Sequence, residues 1–258
     1  MKDFRSYESV DLQLTAGLCA VLGPNGVGKS NLLEAVAYLA MLESFRGAPS
    51  EALVRSGAPV AVVRGSIEAD GREQLIEAEL VPNGRNRVLV NRQRLTRSRD
   101  LLGALRTTVF SPDDLPLIKG GPGLRRVFLD HLLVSLDARN DALRSEFERA
   151  VRQRNALLKQ TKGRLDEAAA LTLEVWNSKL VESGEELARR RSDLVSRLEP
   201  LVVTAYGDVA GENQPITMRY EAHWRDVGLA QALAGVRADE LRRGVTLVGP
   251  HRDDLAVQ

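Results

Sequence analysis

The chain has little of several things, and each shortage closes a class of explanation. One cysteine, Cys19, in 258 residues excludes an internal disulfide framework and a cysteine-based zinc site. The three histidines, His131, His223 and His251, are scattered without the spacing of a metal site. No run reaches the roughly eighteen consecutive apolar residues of a membrane span, and Met1 to Thr15 is polar where a signal peptide needs an apolar run. The expectation is a cytoplasmic protein with no membrane partner. Net charge is small as well: 36 Lys and Arg against 35 Asp and Glu leave +1, which does not advertise a polyanion partner. Present in full measure is apolar material, 43% of residues, enough for a real core in one large α/β domain or two units.

The most informative segment is Gly23-Pro24-Asn25-Gly26-Val27-Gly28-Lys29-Ser30, which fits the G-x-x-x-x-G-K-[ST] phosphate-binding loop. Its flanks suit it. Leu18-Cys19-Ala20-Val21-Leu22 reads as a strand buried on both faces, with Cys19 an inert buried thiol. Asn31 to Leu42 reads as a helix whose Leu32, Leu33, Val36, Leu39 and Ala40 form one apolar face. The glycines let backbone N–H groups turn inward toward phosphate oxygens, and the helix adds the positive end of its dipole. Lys29 would reach the β- and γ-phosphates of a nucleoside triphosphate, Ser30 would hold Mg²⁺, and Asn31 continues the helix start. The alternative is a Gly-rich strand-to-helix turn without chemistry.

Beyond this loop, Val60 to Ala69, Gln74 to Val81 and Arg87 to Leu95 read as an antiparallel three-stranded meander. Asp70-Gly71 and Asn83-Gly84 separate the strands. A helical stretch is expected near Ser98 to Leu105 and a strand at Thr107 to Phe110. That strand enters Ser111-Pro112-Asp113-Asp114, where Ser111 can cap a helix that Pro112 begins. After Lys119-Gly120-Gly121-Pro122-Gly123 strand signals vanish for about eighty residues. One apolar stripe runs through Leu143, Phe147, Ala150, Val151, Leu157 and Leu158. A second, near-heptad stripe runs through Leu173, Trp176, Leu180, Leu187, Leu194, Leu198 and Leu201, interrupted by Ser183 and Arg191. With Gly163 between them, they read as an antiparallel helical arm projecting from a β-rich head; a helical layer lying flat on the head is the alternative. Pro200 to Gly211 should end the arm, and Ile216 to Trp224 and Val245 to Val248 read as strands.

Charge is locally uneven. From Arg85 to Arg106 seven arginines face one acid, Asp100. If the segment is a strand, Arg85 with Arg87 and Arg92 with Arg94 share a face, giving either a phosphate-tracking stripe or a strand edge blocked by cations.

Several ordered pieces resemble the RecF family, bacterial DNA replication and repair proteins related to SMC-like and ABC-type ATPase heads. They are Phe4-Arg5-Ser6-Tyr7, the loop Gly23 to Asn31, Ser44-Phe45-Arg46, and Phe110 to Leu115. Further along come Lys119 to Pro122 with Arg125-Arg126 and Phe128-Leu129-Asp130, then Arg152 to Lys159, and finally Gly249-Pro250-His251-Arg252-Asp253-Asp254. The resemblance implies an α/β P-loop ABC-type ATPase head with an inserted helical arm, its head lacking the C-terminal part. The N-terminal part of the head would be residues 1–118, the arm 119–205 and the return to the head 206–258. It also implies ATP-dependent dimerisation of heads, DNA binding at single-stranded or gapped sites, and work with RecR and RecO in loading RecA and in the SOS response. Arg5 would approach the nucleotide, or else form a surface salt bridge; Asp253 and Asp254 would shape the site or cap a turn. The chain stops before the family's signature and Walker B motifs, so it is expected to bind ATP and hydrolyse it negligibly. Two other function classes fit the same loop: a small-molecule kinase, which needs a closed acceptor pocket, and a passive SMC-like scaffold.

Overall fold

Alternation of apolar and polar residues from Val63 to Ala69 and from Ile76 to Leu80 predicts a sheet with one apolar face, and the computed structural model builds it. The structure describes residues 1–69, 71–96, 98–101, 104–211 and 216–258. The chain divides into two compact units, Met1–Asp113 and Asp114–Gln258.

The first unit is a six-stranded antiparallel sheet with one helix against it. Its strands are β1 (Lys2–Phe4), β2 (Tyr7–Ser9), β3 (Ala61–Ala69), β4 (Arg72–Leu80), β5 (Arg87–Val90) and β6 (Gln93–Arg94), in the order β2-β1-β3-β4-β5-β6. Register is set by the apolar face. Ala61 pairs with Leu80, Val63 with Ala78, and Ala78 in turn with Val88, so these buried residues line one side. α1 (Lys29–Met41) packs Tyr38 and Leu39 into the same core, with Phe4, Ile76 and Leu53 of the short α2 (Ser50–Leu53). The opposite face is charged: Arg64 pairs with Glu77 at 2.6 Å and Arg87 with Glu79 at 3.6 Å. The expected meander is present. Its last strand, however, is broken by a turn at Asn91 and Arg92, both at positive φ, into the β5–β6 hairpin. Asp70, Arg97, Leu102 and Gly103 lie outside the described residues, so part of the expected helical stretch at Ser98 to Leu105 does too. Of the described part, Ser98–Leu101 is a single 3₁₀ turn, and Ala104 and Leu105 are irregular.

Two expected strands are absent here. Leu18 to Leu22 is irregular and open to solvent, with Leu18 and Leu22 at 102% and 88% exposure and Cys19 exposed rather than buried. A doubly buried strand needs neighbours on both edges, and no described strand pairs with this one. Thr107 to Phe110 is irregular for the same reason.

The second unit is helical. After a 3₁₀ turn at Pro112–Asp114 come α3 (Pro116–Lys119), α4 (Pro122–Leu136), α5 (Arg139–Gln160), α6 (Glu167–Ala210) and α7 (Leu229–Arg243). A small antiparallel sheet of β7 (Met218–Glu221) and β8 (Asp254–Val257) joins them. Asp166 caps α6 through the N–H of Ala169 at 2.7 Å. The heptad residues Leu173, Leu180, Leu187 and Leu194 are all buried, the last three in a core that includes Phe147, Leu129 and Leu229. The two interruptions, Ser183 and Arg191, are buried as well. Ser183 donates to the Lys179 carbonyl one turn back, and Arg191 grips Asp130 of α4 through two bonds of 2.8 and 2.7 Å. Pro200 does not end the helix. α6 continues to Ala210 and stops at Gly211, whose φ of 68° only glycine takes without strain. Nor is Val245 to Val248 a strand. Side chains replace the ladder there: Asn155 Oδ1 accepts from Thr246 N at 2.7 Å and Glu240 Oε1 from Leu247 N at 2.8 Å.

Candidate phosphate-binding site

The loop Gly23 to Lys29 has the backbone its composition requires, with Gly23, Gly26 and Gly28 at φ of 154°, 84° and 107°. Gly28 is the N-cap of α1 and offers no side chain to the first-turn N–H groups, so the positive end of the helix opens on the loop. Lys29 folds back over it, its Nζ donating to the carbonyls of Gly23 and Pro24 at 2.8 Å each. Pro24, Asn25 and Val27 are exposed along the rim. The Ser30 hydroxyl is exposed and makes no hydrogen bond among the described residues. The helix itself is rotated from its expected setting. Its buried face is Glu34, Ala35, Ala37, Tyr38, Leu39 and Ala40, while Leu33 is 55% exposed.

Further contacts back the loop. The turn between β1 and β2 abuts it: Tyr7 Oη donates to the Gly28 carbonyl at 3.2 Å and Asn31 Nδ2 donates to Ser6 Oγ at 2.9 Å. Arg5, in that turn, directs Nε and Nη2 at the two oxygens of Glu34, each at 2.8 Å, and Nη1 at the Ala52 carbonyl. Glu34 is fully buried, and Ser44 Oγ also donates to it. Burial pushes the Glu34 carboxyl upward, but the bonds from Arg5 and Ser44 outweigh that and hold it below its ordinary range. Arg46 lies 3.9 Å from Glu34 and 3.4 Å from Asn31 Oδ1. Glu34 was missed in the sequence, and Tyr7, Ser44 and Arg46 entered only as parts of the family resemblance, without a role. One signal was legible: a carboxylate one turn ahead of Tyr38 on the inner face of α1.

No group of three or more His, Cys, Asp or Glu side chains fit to hold a metal occurs among the described residues. The donor set suits Mg²⁺ arriving with a triphosphate, since the open Ser30 hydroxyl can join phosphate oxygens and water around a small hard cation. The structure gathers Arg85, Arg87 and Arg94 around a shallow cleft of about 260 Å³, also lined by Asn86 and Val88. Arg92 is set apart on the hairpin turn, so the expected Arg92–Arg94 strand face does not form.

In the second unit the loop Gly249 to Asp254 is tied down at each acid. Asp253 accepts from Tyr220 Oη at 2.6 Å and Trp224 Nε1 at 2.8 Å, and Asp254 holds Arg125 through bonds of 2.7 and 2.8 Å. Burial raises both the Asp253 carboxyl and the Tyr220 phenol above their ordinary values. His251 is pushed down to about 4 by burial, despite its bond to the Thr246 carbonyl, and stands neutral.

Sheet, loop and helical unit together define a P-loop head of the ABC-type ATPase class. A family model described as the RecF/RecN/SMC N terminal domain matches residues 1–238. The DNA replication and repair protein RecF of Streptomyces avermitilis is 45% identical over 100% of this chain and 73% of its own length. RecF of Cutibacterium acnes is 43% identical over 98% and 71%. A solved structure of the recombination mediator protein RecF with ATP, in the RecFOR pathway, superposes with a TM-score of 0.92 at 29% identity. It covers 100% of this chain and 71% of that one. The chain therefore belongs to the RecF family of DNA replication and repair proteins.

Proposed function

We propose that this chain binds ATP with Mg²⁺ at the loop Gly23 to Asn31 and uses the nucleotide to bring two heads together on DNA. One observation carries the reading. Lys29 is the cation of an uncapped helix N-terminus and bonds only to carbonyls of its own loop, an arrangement that exchange for phosphate oxygens would satisfy better. A RecF of the same fold has been solved with ATP, which supports the same use here. Main-chain N–H groups of Gly26 and Gly28 would accommodate the phosphate oxygens, Lys29 would balance their charge, and Ser30 would hold Mg²⁺. Arg5 contributes from behind, through Glu34. In this reading residues 1–118 are the nucleotide-binding part of the head, 119–205 its arm and 206–258 the chain leading back toward the head. RecR and RecO are its partners by kinship, RecA loading at single-strand gaps and the SOS response its setting, and the cytoplasm its place.

DNA contact by Arg85, Arg87, Arg92 and Arg94 belongs to the same proposal, with Arg87 the weakest member because Glu79 already faces it. The test is anisotropy of labelled gapped DNA at several salt concentrations, with and without ATP and Mg²⁺. Binding should strengthen with nucleotide and lose that response in Lys29→Ala. Replacing both Arg92 and Arg94 by Glu should weaken it and flatten its salt slope. DNA binding indifferent to both ATP and Lys29 would mark a passive scaffold, and turnover stimulated by a small acceptor without DNA would mark a kinase.

A further inference from the structure

The β1–β2 turn is held in a conformation it would not choose alone. Arg5 sits at φ 53°, where an L side chain is rarely found, yet its guanidinium is bonded through all three nitrogens and its own N–H donates to the Leu53 carbonyl at 2.8 Å. The anchor for this is Glu34. Its carboxylate has no access to solvent and satisfies itself through the Arg5 fork and the Ser44 hydroxyl. From Arg5 the constraint passes to the next two residues, and both touch the phosphate loop. Ser6 takes the Asn31 side chain, and Tyr7 reaches the Gly28 carbonyl. Packing there is close enough that a Cβ on Gly28 would come within 2.7 Å of Ser6 Oγ and 3.2 Å of the Tyr7 ring. The loop thus has a wall behind it on the side away from its rim.

We infer that Glu34 is a positioning residue for the phosphate loop, acting through Arg5 to press Ser6 and Tyr7 against Gly28 and Asn31. Glu34 itself touches no ligand. Its carboxylate keeps the strained turn in place, and the turn keeps the Gly28 carbonyl and the first helical turn aimed so that the loop's N–H groups converge. This rests on the nucleotide reading above for its consequence, but the brace exists in the chain with or without a ligand. A preset loop binds more tightly because less ordering is left to do on binding.

The experiment uses the 258-residue chain and a fluorescent ATP analogue with Mg²⁺, alongside amide hydrogen exchange without nucleotide. Glu34→Gln, which keeps the shape and removes the charge, should weaken nucleotide binding about tenfold, the loss of one charge-assisted bond. Exchange should quicken at residues 28–33 and stay unchanged across residues 61–80. Tyr7→Phe should give a smaller loss, about twofold to threefold. The double variant should be no worse than Glu34→Gln alone, because the two lie on one path. Should Glu34→Gln fail to fold, Arg5→Lys reads the same path by weakening the fork. Wild-type affinity and unchanged exchange at 28–33 in these variants, or losses that simply add, would overturn the brace. Absence of nucleotide binding by the wild-type chain would overturn the function proposed above, and the exchange measurement would still decide this inference.

Discussion

Each unit contains a fully buried glutamate gripped by an arginine, and the two pairs differ in what surrounds the cation. In the helical unit Glu240 is paired with Arg154 at 2.5 Å, and both side chains are shut off from water, at 0% and 1% exposure. Every remaining direction is filled: Arg154 also bonds Asn177 at 2.8 Å and Thr246 at 2.9 Å, and Glu240 takes the Leu247 N–H. In the sheet unit Glu34 is as deeply buried, yet Arg5 and Arg46 keep 19% and 42% of their side-chain surface. The same chemistry therefore serves two ends. A closed pair fixes the path of the chain, here the irregular segment Val245 to Val248. A pair with cations at the surface can hold the wall of a site that must meet a ligand.

Breaking the closed pair should give the largest loss of stability. Arg154→Ala leaves Glu240 charged and unpaired in the interior and should cost about 3–5 kcal/mol, read by urea denaturation of the helical unit. Arg5→Ala should cost clearly less, because removing a side chain that already reaches the surface lets water in to Glu34, and Arg46 stands 3.9 Å from that carboxylate. Equal losses would dissolve the distinction. Next in size are two glycines that each lack room for a methyl group. Gly184→Ala would place a Cβ 2.8 Å from Leu229 and Gly28→Ala one 2.7 Å from Ser6, each costing about 1–3 kcal/mol. Only the second should also weaken ATP binding, so isothermal titration of both variants separates packing from site.

The smallest effect is one of pH, and it belongs to the helical unit. His251 has a folded-state pKa of about 4, set first by burial, with Arg252, Arg126 and Arg154 adding to the depression. The unfolded chain takes up the proton first, near the ordinary value of about 6.5. Stability is therefore complete above that value and erodes as pH falls toward 4. Denaturation midpoints followed from pH 7 to 4 should show the decline, and His251→Gln, which cannot titrate there, should lessen it.

Much of this was legible in the sequence, and what was not has identifiable causes. The glycine turn into α1 could be read from the spacing of Gly23, Gly26 and Gly28 before Lys29, and the meander because alternation fixes strand faces. Helices α5 and α6 followed from their stripes. Residues Leu18 to Leu22 could not be judged from apolar content, since a strand exists only where another strand supplies hydrogen bonds. Thr246 and Leu247 read as strand because side-chain acceptors from Asn155 and Glu240, about ninety and seven residues away, leave no local trace. Pro200 lies inside α6, which ends only at Gly211, the far end of the segment expected to close the arm; residues 201–210 are largely exposed, so packing does not explain why the helix runs past the proline. Arg191 looked like an interruption of the seam because Asp130, which neutralises it, lies on another helix.

The central claim is that the loop before α1 binds a triphosphate. Isothermal titration of the chain with ATP and Mg²⁺ tests it most directly. Saturable binding of one nucleotide per chain, weakened about a hundredfold in Lys29→Ala, is the expected result. No heat of association in a sample shown to be folded, or equal affinity in the two proteins, would contradict it.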